Sequence, residues 1–90
     1  LDRLKLECKD SQKARAMRLI AERYQDAYKK VNSVSTVDGV RLEMENGWAL
    51  IRPSGTEPLL RITVEGRTMA DVEDIMDRGR VLVKKVLGLL

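Results

Sequence analysis

The sequence predicts an α+β two-layer sandwich, an antiparallel sheet with two helices on one face, in the order strand, helix, several strands, helix. Three observations carry this reading. Apolar residues recur every three or four positions in one segment before residue 32 and in another after residue 67. The stretch between them holds the turn dipeptides Asp38-Gly39 and Asn46-Gly47, and its remaining residues alternate or are rich in β-branched side chains.

Leu4 to Cys8 alternates as Leu-Lys-Leu-Glu-Cys, the pattern of a half-buried strand, and Asp10 or Ser11 then offers a helix N-cap. The first helix places Met17, Ile20, Ala21, Tyr24, Ala27, Tyr28 and Val31 on one face, with Arg18, Glu22, Arg23, Asp26 and Lys29 opposite. Tyr24 and Tyr28 are therefore core residues by position. Asp38-Gly39 and Asn46-Gly47 accept the positive φ of two-residue hairpin turns, so two hairpins are expected. Between them Val40, Leu42 and Met44 alternate with Arg41, Glu43 and Glu45, one face to the core and one to water. Trp48 to Ile51 and Leu59 to Val64 read as more buried strands at the sheet centre, with Trp48 as core or interface filler. Thr68-Met69-Ala70-Asp71 is close to a capping box and opens a second amphipathic helix through Leu87.

The chain has 90 residues and reads as one domain, 1–90, large enough for a single core. At 43% hydrophobic and 34% charged it has the composition of a globular protein. No apolar run approaches the roughly 20 residues of a membrane span, so no membrane partner is expected. The start at Leu1-Asp2-Arg3, without Met or a secretory leader, reads as a fragment of a longer protein. Cys8, the only cysteine, has no internal disulfide partner and is read as core filler in a cytoplasmic protein. With no His in the sequence, a Ser-His-Asp triad or a His-containing zinc site cannot be assembled. Lys and Arg number 17 against 14 acids, a net charge of +3 that leans toward anionic partners without demanding nucleic acid.

The residues that carry chemistry lie in the run Arg52-Pro53-Ser54-Gly55-Thr56-Glu57-Pro58. Arg52 offers a planar fork of donors matched to two phosphate oxygens. Ser54 and Thr56 add hydroxyls, and Gly55 removes a side chain that would keep backbone N–H groups from an anion, so consecutive amides can form a nest. Pro53 and Pro58 stiffen the loop and lower the ordering cost of binding. Arg61 on the returning strand brings a second positive charge to the same end of the sheet. Glu57, which would repel a phosphate, is read as a bracing partner for Arg52 or Arg61. The substrate phosphate-binding residues are thus Arg52, Ser54, Gly55, Thr56 and Arg61, with Pro53, Glu57 and Pro58 shaping the loop.

Asp38-Gly39-Val40-Arg41, then Trp48, then Arg52 to Pro58 and Arg61, together resemble the C-terminal domain of the α-D-phosphohexomutases, the family of phosphoglucomutases, phosphomannomutases and phosphoglucosamine mutases. The match runs from about Val37 onward. The resemblance implies a TATA-binding-protein-like layout, and it implies that Arg52, Ser54, Gly55 and Thr56, with Arg61 beside them, grip the phosphate of a phosphosugar. It also implies that the phosphoserine, the magnesium-holding carboxylate loop and the sugar-inspecting loop belong to preceding domains of the parent chain. On this reading the 90 residues contain no catalytic residue, bind no cofactor, and contribute to an isomerase whose Mg2+ is held elsewhere.

The alternative is a small basic α+β module for nucleic acid or for protein interaction, using the open sheet face and the apolar tail Val86 to Leu90. Single-stranded RNA is usually read by several stacking aromatics, and the chain has only one Trp, two Tyr and no Phe. A nucleic-acid partner is therefore not expected.

Overall fold

The computed structural model describes residues 1–89. β1 (Asp2–Glu7) alternates Leu4 and Leu6 inward and ends where Cys8 drops into the core. A single 3-10 turn, Asp10–Gln12, leads into α1 (Lys13–Ala27). No side chain caps either element. Asp10 does not cap the helix as its sequence position suggests, because its carboxylate is taken by the Lys13 ammonium at 2.7 Å. α1 also stops earlier than its apolar periodicity. Tyr28 adopts an extended conformation, φ −120 and ψ 108, and turns its ring into the core, while Val31 packs on the core from the connecting segment.

β2 (Ser33–Ser35), β3 (Val40–Met44), β4 (Gly47–Pro53) and β5 (Leu59–Gly66) complete an antiparallel sheet in the order β1-β5-β4-β3-β2. Both hairpins exist, but with different turns from those expected. Ser35 pairs with Arg41, so the first closes through residues 36–40 with Asp38-Gly39 inside a longer loop. Met44 pairs with Gly47, so the two-residue turn of the second is Glu45-Asn46, one position earlier than the dipeptide suggests. Asn46 does not take the positive φ; Gly47 takes it, at 151°. Arg52 and Pro53 extend β4, and Pro53 pairs with Leu60, which leaves Ser54 to Pro58 as the loop proper.

α2 (Met69–Val86) is capped by Thr68, whose Oγ1 accepts from the Asp71 amide at 3.1 Å. Half of the expected capping box forms; the Asp71 carboxylate turns instead to Asn46 Nδ2 at 3.4 Å. Both helices cover one sheet face, where Ile20, Leu42, Ile51, Leu60, Ile62, Val64, Ile75 and Val83 are almost wholly buried. At roughly 1.5–3 kcal/mol per fully buried large apolar side chain, this layer is the main stabilising term. Cys8 and Tyr28 are in the core as expected.

Trp48 is not in the core. It lies half-exposed on the opposite, uncovered face of the sheet, because its position in β4 has the parity of Leu50 and Arg52 rather than of Ala49 and Ile51. Of the apolar tail, Val86 and Leu87 pack on the core and Leu89 is exposed, while Leu90 lies outside the described residues. No helix among the described residues is long and apolar enough to cross a membrane.

Candidate functional site

The open face is an ordered grid, because the pleat sends alternate residues of each strand to it. At the end nearest the Ser54–Pro58 loop, Lys5 pairs with Arg61 and Arg61 pairs with Arg52, three cations in one row across β1, β5 and β4. The next row holds Arg3, Thr63, Leu50 and Arg41. The far row holds Glu65, Trp48 and Glu43. There the Arg41 guanidinium lies 4.2 Å from the Trp48 ring centroid and donates to Glu43 at 2.8 Å, while Trp48 Nε1 donates to Glu65 at 2.8 Å. Positive charge is concentrated toward the loop. A depression of about 460 Å³ opens there, lined by Arg3, Leu4, Lys5, Leu50, Arg52, Arg61 and Thr63.

Like charges directly opposite in a ladder are destabilising, and Arg52 and Arg61 are relieved separately. Arg52 reaches Asp38 at 3.3 Å and Arg61 reaches Glu57 at 3.3 Å. Both guanidiniums remain about half exposed, at 49% and 46%. Of the two partners expected for Glu57, the structure selects Arg61. The Asp38-Gly39 turn has a purpose that sequence spacing did not show. Gly39 (φ +76) lies so close to β4 that a Cβ would overlap the Ile51 carbonyl oxygen and come within 2.7 Å of Arg52 Cβ. That contact seats Asp38 beside the Arg52 fork.

Within the loop, Ser54 is buried and its Oγ accepts from the amides of Thr56 at 3.3 Å and Glu57 at 3.1 Å. The amides expected to cradle an anion are thus turned inward at residues 56 and 57, since a hydroxyl two or three residues back is the nearest acceptor. The Ser54 amide donates to Leu59 O at 3.0 Å and the Leu59 amide to Glu57 O at 2.8 Å. The Gly55 amide has no acceptor among the described residues, and nothing lies within 4 Å of where its Cβ would be. Thr56 is exposed at the loop tip.

Two cations that the sequence reading did not single out belong to this site. Lys5 was legible in principle, since Leu4 and Leu6 pointing inward force Lys5 outward. Lys13 was not: its Nζ contacts Ser54 O and Glu57 O, each at 2.7 Å, across 41 and 44 residues of sequence. Cys8 also touches the loop, its amide donating to Pro58 O at 2.9 Å, and burial pushes its thiol above the ordinary range. That thiol is a poor nucleophile. No group of three or more His, Cys, Asp or Glu side chains among the described residues is arranged to hold a metal ion. The described residues therefore do not fit the magnesium that the family resemblance implies for other domains of a parent enzyme.

Residues 3–81 match the family model described as phosphoglucomutase/phosphomannomutase, C-terminal domain. The chain belongs to this family. Similar proteins include the phosphoglucosamine mutase of Methanocaldococcus jannaschii, 42% identical over 88 residues, an alignment covering 98% of this chain and 19% of that protein. The probable phosphoglucosamine mutase of Methanopyrus kandleri is 44% identical over 80 residues, covering 89% of this chain and 17% of that protein. Among solved structures, a phosphoglucomutase/phosphomannomutase family protein from Burkholderia thailandensis superposes with a TM-score of 0.71 at 26% identity, over 96% of this chain and 17% of its own. The chain thus spans less than a fifth of the length of these relatives, and it is the C-terminal domain of the mutase family that it represents. The family match begins at residue 3, so it takes in β1 and α1 as well as the loop and the later strands.

Proposed function

We propose that this phosphohexomutase C-terminal domain grips the phosphate of a phosphosugar while the reaction proceeds on groups carried by other domains of a larger mutase. The observation that carries this is the pairing of Arg52 with Arg61 directly across β4 and β5, next to Lys5 and under an exposed Gly55. Three cations in one row with only two carboxylates beside them favour an anion in their midst. A phosphate bridging the two guanidiniums replaces repulsion by charge-assisted hydrogen bonds, the stronger class. Asp38 and Glu57 then swing from charge partners to outer braces.

In this reading Arg52 and Arg61 supply bidentate donors and Lys5 a point charge. The Gly55 amide and Thr56 hydroxyl close the grip from the loop. Ser54 acts mainly from inside, by holding the turn, and Pro53 and Pro58 fix where the turn begins and ends. Such a grip reads phosphate and ignores the sugar. This suits an isomerase in which a hexose 1-phosphate and 6-phosphate interconvert through a bisphosphorylated sugar that turns over between two phosphoryl transfers. The relatives' names favour a glucosamine phosphate as the hexose. Binding energy collected at the remote phosphate supports positioning at the reacting one. The 90 residues bind without catalysing, and magnesium, where the parent enzyme uses it, is held by other domains.

The test is an NMR titration of the labelled chain with glucosamine 6-phosphate, glucose 1-phosphate and inorganic phosphate. One wall of a cleft should bind all three similarly, on the order of millimolar, about −4 kcal/mol. Shifts should be confined to the Ser54–Pro58 loop and the Arg52, Arg61 and Lys5 strands. A short oligonucleotide that perturbs the open face while the sugar phosphates leave those amides still would replace this reading with a nucleic-acid module. The Trp48 ring, already covered by Arg41, is poorly disposed to stack on a base.

A further inference from the structure

We propose that Lys13 is a positioning residue for the phosphate loop, fixing the Ser54–Gly55 peptide so that the Gly55 N–H faces the bound anion. The inference rests on the phosphate-grip reading and adds a residue far from the loop in sequence. An ammonium has three donors and no acceptor, and Lys13 has one oxygen for each: Asp10 Oδ1, Ser54 O and Glu57 O, all at 2.7 Å. Its side chain is only 15% exposed although it is the first residue of α1. Lys13 thus fastens both ends of the loop to the start of the helix from behind.

The consequence follows from peptide geometry. The Ser54–Gly55 peptide is trans, and in a planar trans unit the C=O and the following N–H point in opposite directions. With Ser54 O drawn toward Lys13, the Gly55 N–H must face away from it, toward solvent. Glu57 O is followed by Pro58, which has no N–H, so that second anchor orients no donor and serves to hold the loop's far end. The Thr56 and Glu57 amides are already engaged by Ser54 Oγ, and the Ser54 amide by Leu59 O. Among loop residues 54–57, Gly55 therefore carries the one backbone donor left for a ligand, and the atom opposite it in the same peptide is held by Lys13. Without that anchor the peptide is free to rotate and present its carbonyl, an oxygen that repels phosphate. The Lys13 charge, directly behind the loop, adds attraction of the same sign.

The experiment is a titration of the labelled 90-residue chain with inorganic phosphate, following the amides of Gly55, Arg52 and Arg61, in wild type, Lys13→Met, Lys13→Arg and Tyr28→Phe. Tyr28→Phe serves as a core-destabilised control remote from the loop. Losing one charge-assisted contact network predicts about a tenfold weaker Kd for Lys13→Met, with Gly55 no longer responding while Arg61 still does. Lys13→Arg, which keeps the positive charge and several N–H donors, should stay within about threefold of wild type. If Lys13→Met does not fold, Lys13→Gln, with two neutral donors, takes its place and should show a weakened Kd and a reduced Gly55 shift. A folded Met or Gln variant with the wild-type Kd and Gly55 shift overturns the proposal, as does an equal loss of binding in Tyr28→Phe. A wild-type chain that responds at Arg52 and Arg61 but not at Gly55 removes the role of Lys13 and leaves the phosphate grip standing. No response at any of the three removes both.

Discussion

Arg52 and Arg61 face each other across neighbouring strands, each guanidinium about half exposed and each 3.3 Å from its own carboxylate, Asp38 for one and Glu57 for the other. Exposed pairs of this kind contribute about 0–1 kcal/mol, which the cross-strand repulsion offsets. Arg52→Ala is therefore expected to leave stability within about 0.5 kcal/mol of wild type while removing most phosphate affinity. Thermal melts with and without 100 millimolar-scale excess of phosphate separate the two effects. Ligand at about 100 times Kd stabilises wild type by about 2.7 kcal/mol and should hardly move the variant. An equal phosphate-induced shift in both proteins would show that Arg52 is not in the grip.

Gly39→Ala tests whether the first hairpin loop sets the Arg52 fork. The backbone there has φ +76, and a Cβ would overlap the Ile51 carbonyl oxygen and crowd Arg52 Cβ at 2.7 Å. The left-handed conformation alone costs about 1–2 kcal/mol for a residue with a Cβ. The overlap adds to this, so a loss of about 2–3 kcal/mol is expected by urea unfolding. Because the strain falls on β4 at Arg52, phosphate binding should weaken as well. A variant that loses stability but keeps the wild-type phosphate Kd would limit Gly39 to a folding role.

These two sites show what the sequence could and could not reveal. The Arg52 to Pro58 run was legible because its residue types are local and chemically specific, and the two helices were legible because their apolar stripes have a period of 3.6. The hairpin turns were misplaced by one residue or lengthened, since several turn types tolerate the same Gly-containing dipeptides and the ladder register decides among them. Trp48 reads as core or interface filler because size and hydrophobicity favour burial, and its parity along β4 decides against the core and puts it beside Arg41 on the open face. Lys13 and the inward use of Ser54 Oγ had no local signal at all. Both arise from tertiary contacts, and a lysine at the start of an amphipathic helix looks like any solvated charge until the loop is folded against it.

Tyr28 makes stability fall at alkaline pH. Its hydroxyl is buried and donates to Ile75 O at 2.6 Å, and burial raises its pKa well above the ordinary value of 10.0, with the Arg78 charge opposing the shift and the Asp74 charge adding to it. In the unfolded chain the phenol ionises near its ordinary value, and in the fold it stays protonated. The native state therefore binds more protons above pH 10. The contribution of Tyr28 is fully present below that pH and is lost above it, at about 1.4 kcal/mol per pH unit. Urea midpoints at pH 9 and pH 11, compared between wild type and Tyr28→Phe, isolate the effect from other titrating groups. Wild type should be more stable by about 0.5–1.5 kcal/mol at pH 9, and the advantage should shrink or reverse at pH 11. A difference that is the same at both pH values would mean the phenol ionises as readily folded as unfolded.

The same hydroxyl explains why α2 keeps a glycine at its centre. Gly79 sits in the buried face of the helix, where alanine is intrinsically favoured by about 1 kcal/mol. A Cβ there would lie 2.7 Å from Tyr28 Oη and 3.5 Å from Ile62 Cγ2. Gly79→Ala must therefore displace the Tyr28 hydroxyl and break its bond to Ile75 O, leaving a buried donor unsatisfied at a cost of about 1–3 kcal/mol. The net expectation is a loss of about 1–2 kcal/mol after the gain in helix propensity. In a Tyr28→Phe background the obstructing oxygen is gone, and the same Gly79→Ala change should be neutral or stabilising. The coupling in this double-mutant cycle is expected at about 1–3 kcal/mol, within the range for residues in direct contact. Additive losses in the cycle would instead place the conflict at Ile62, whose methyl is the next neighbour of the added carbon.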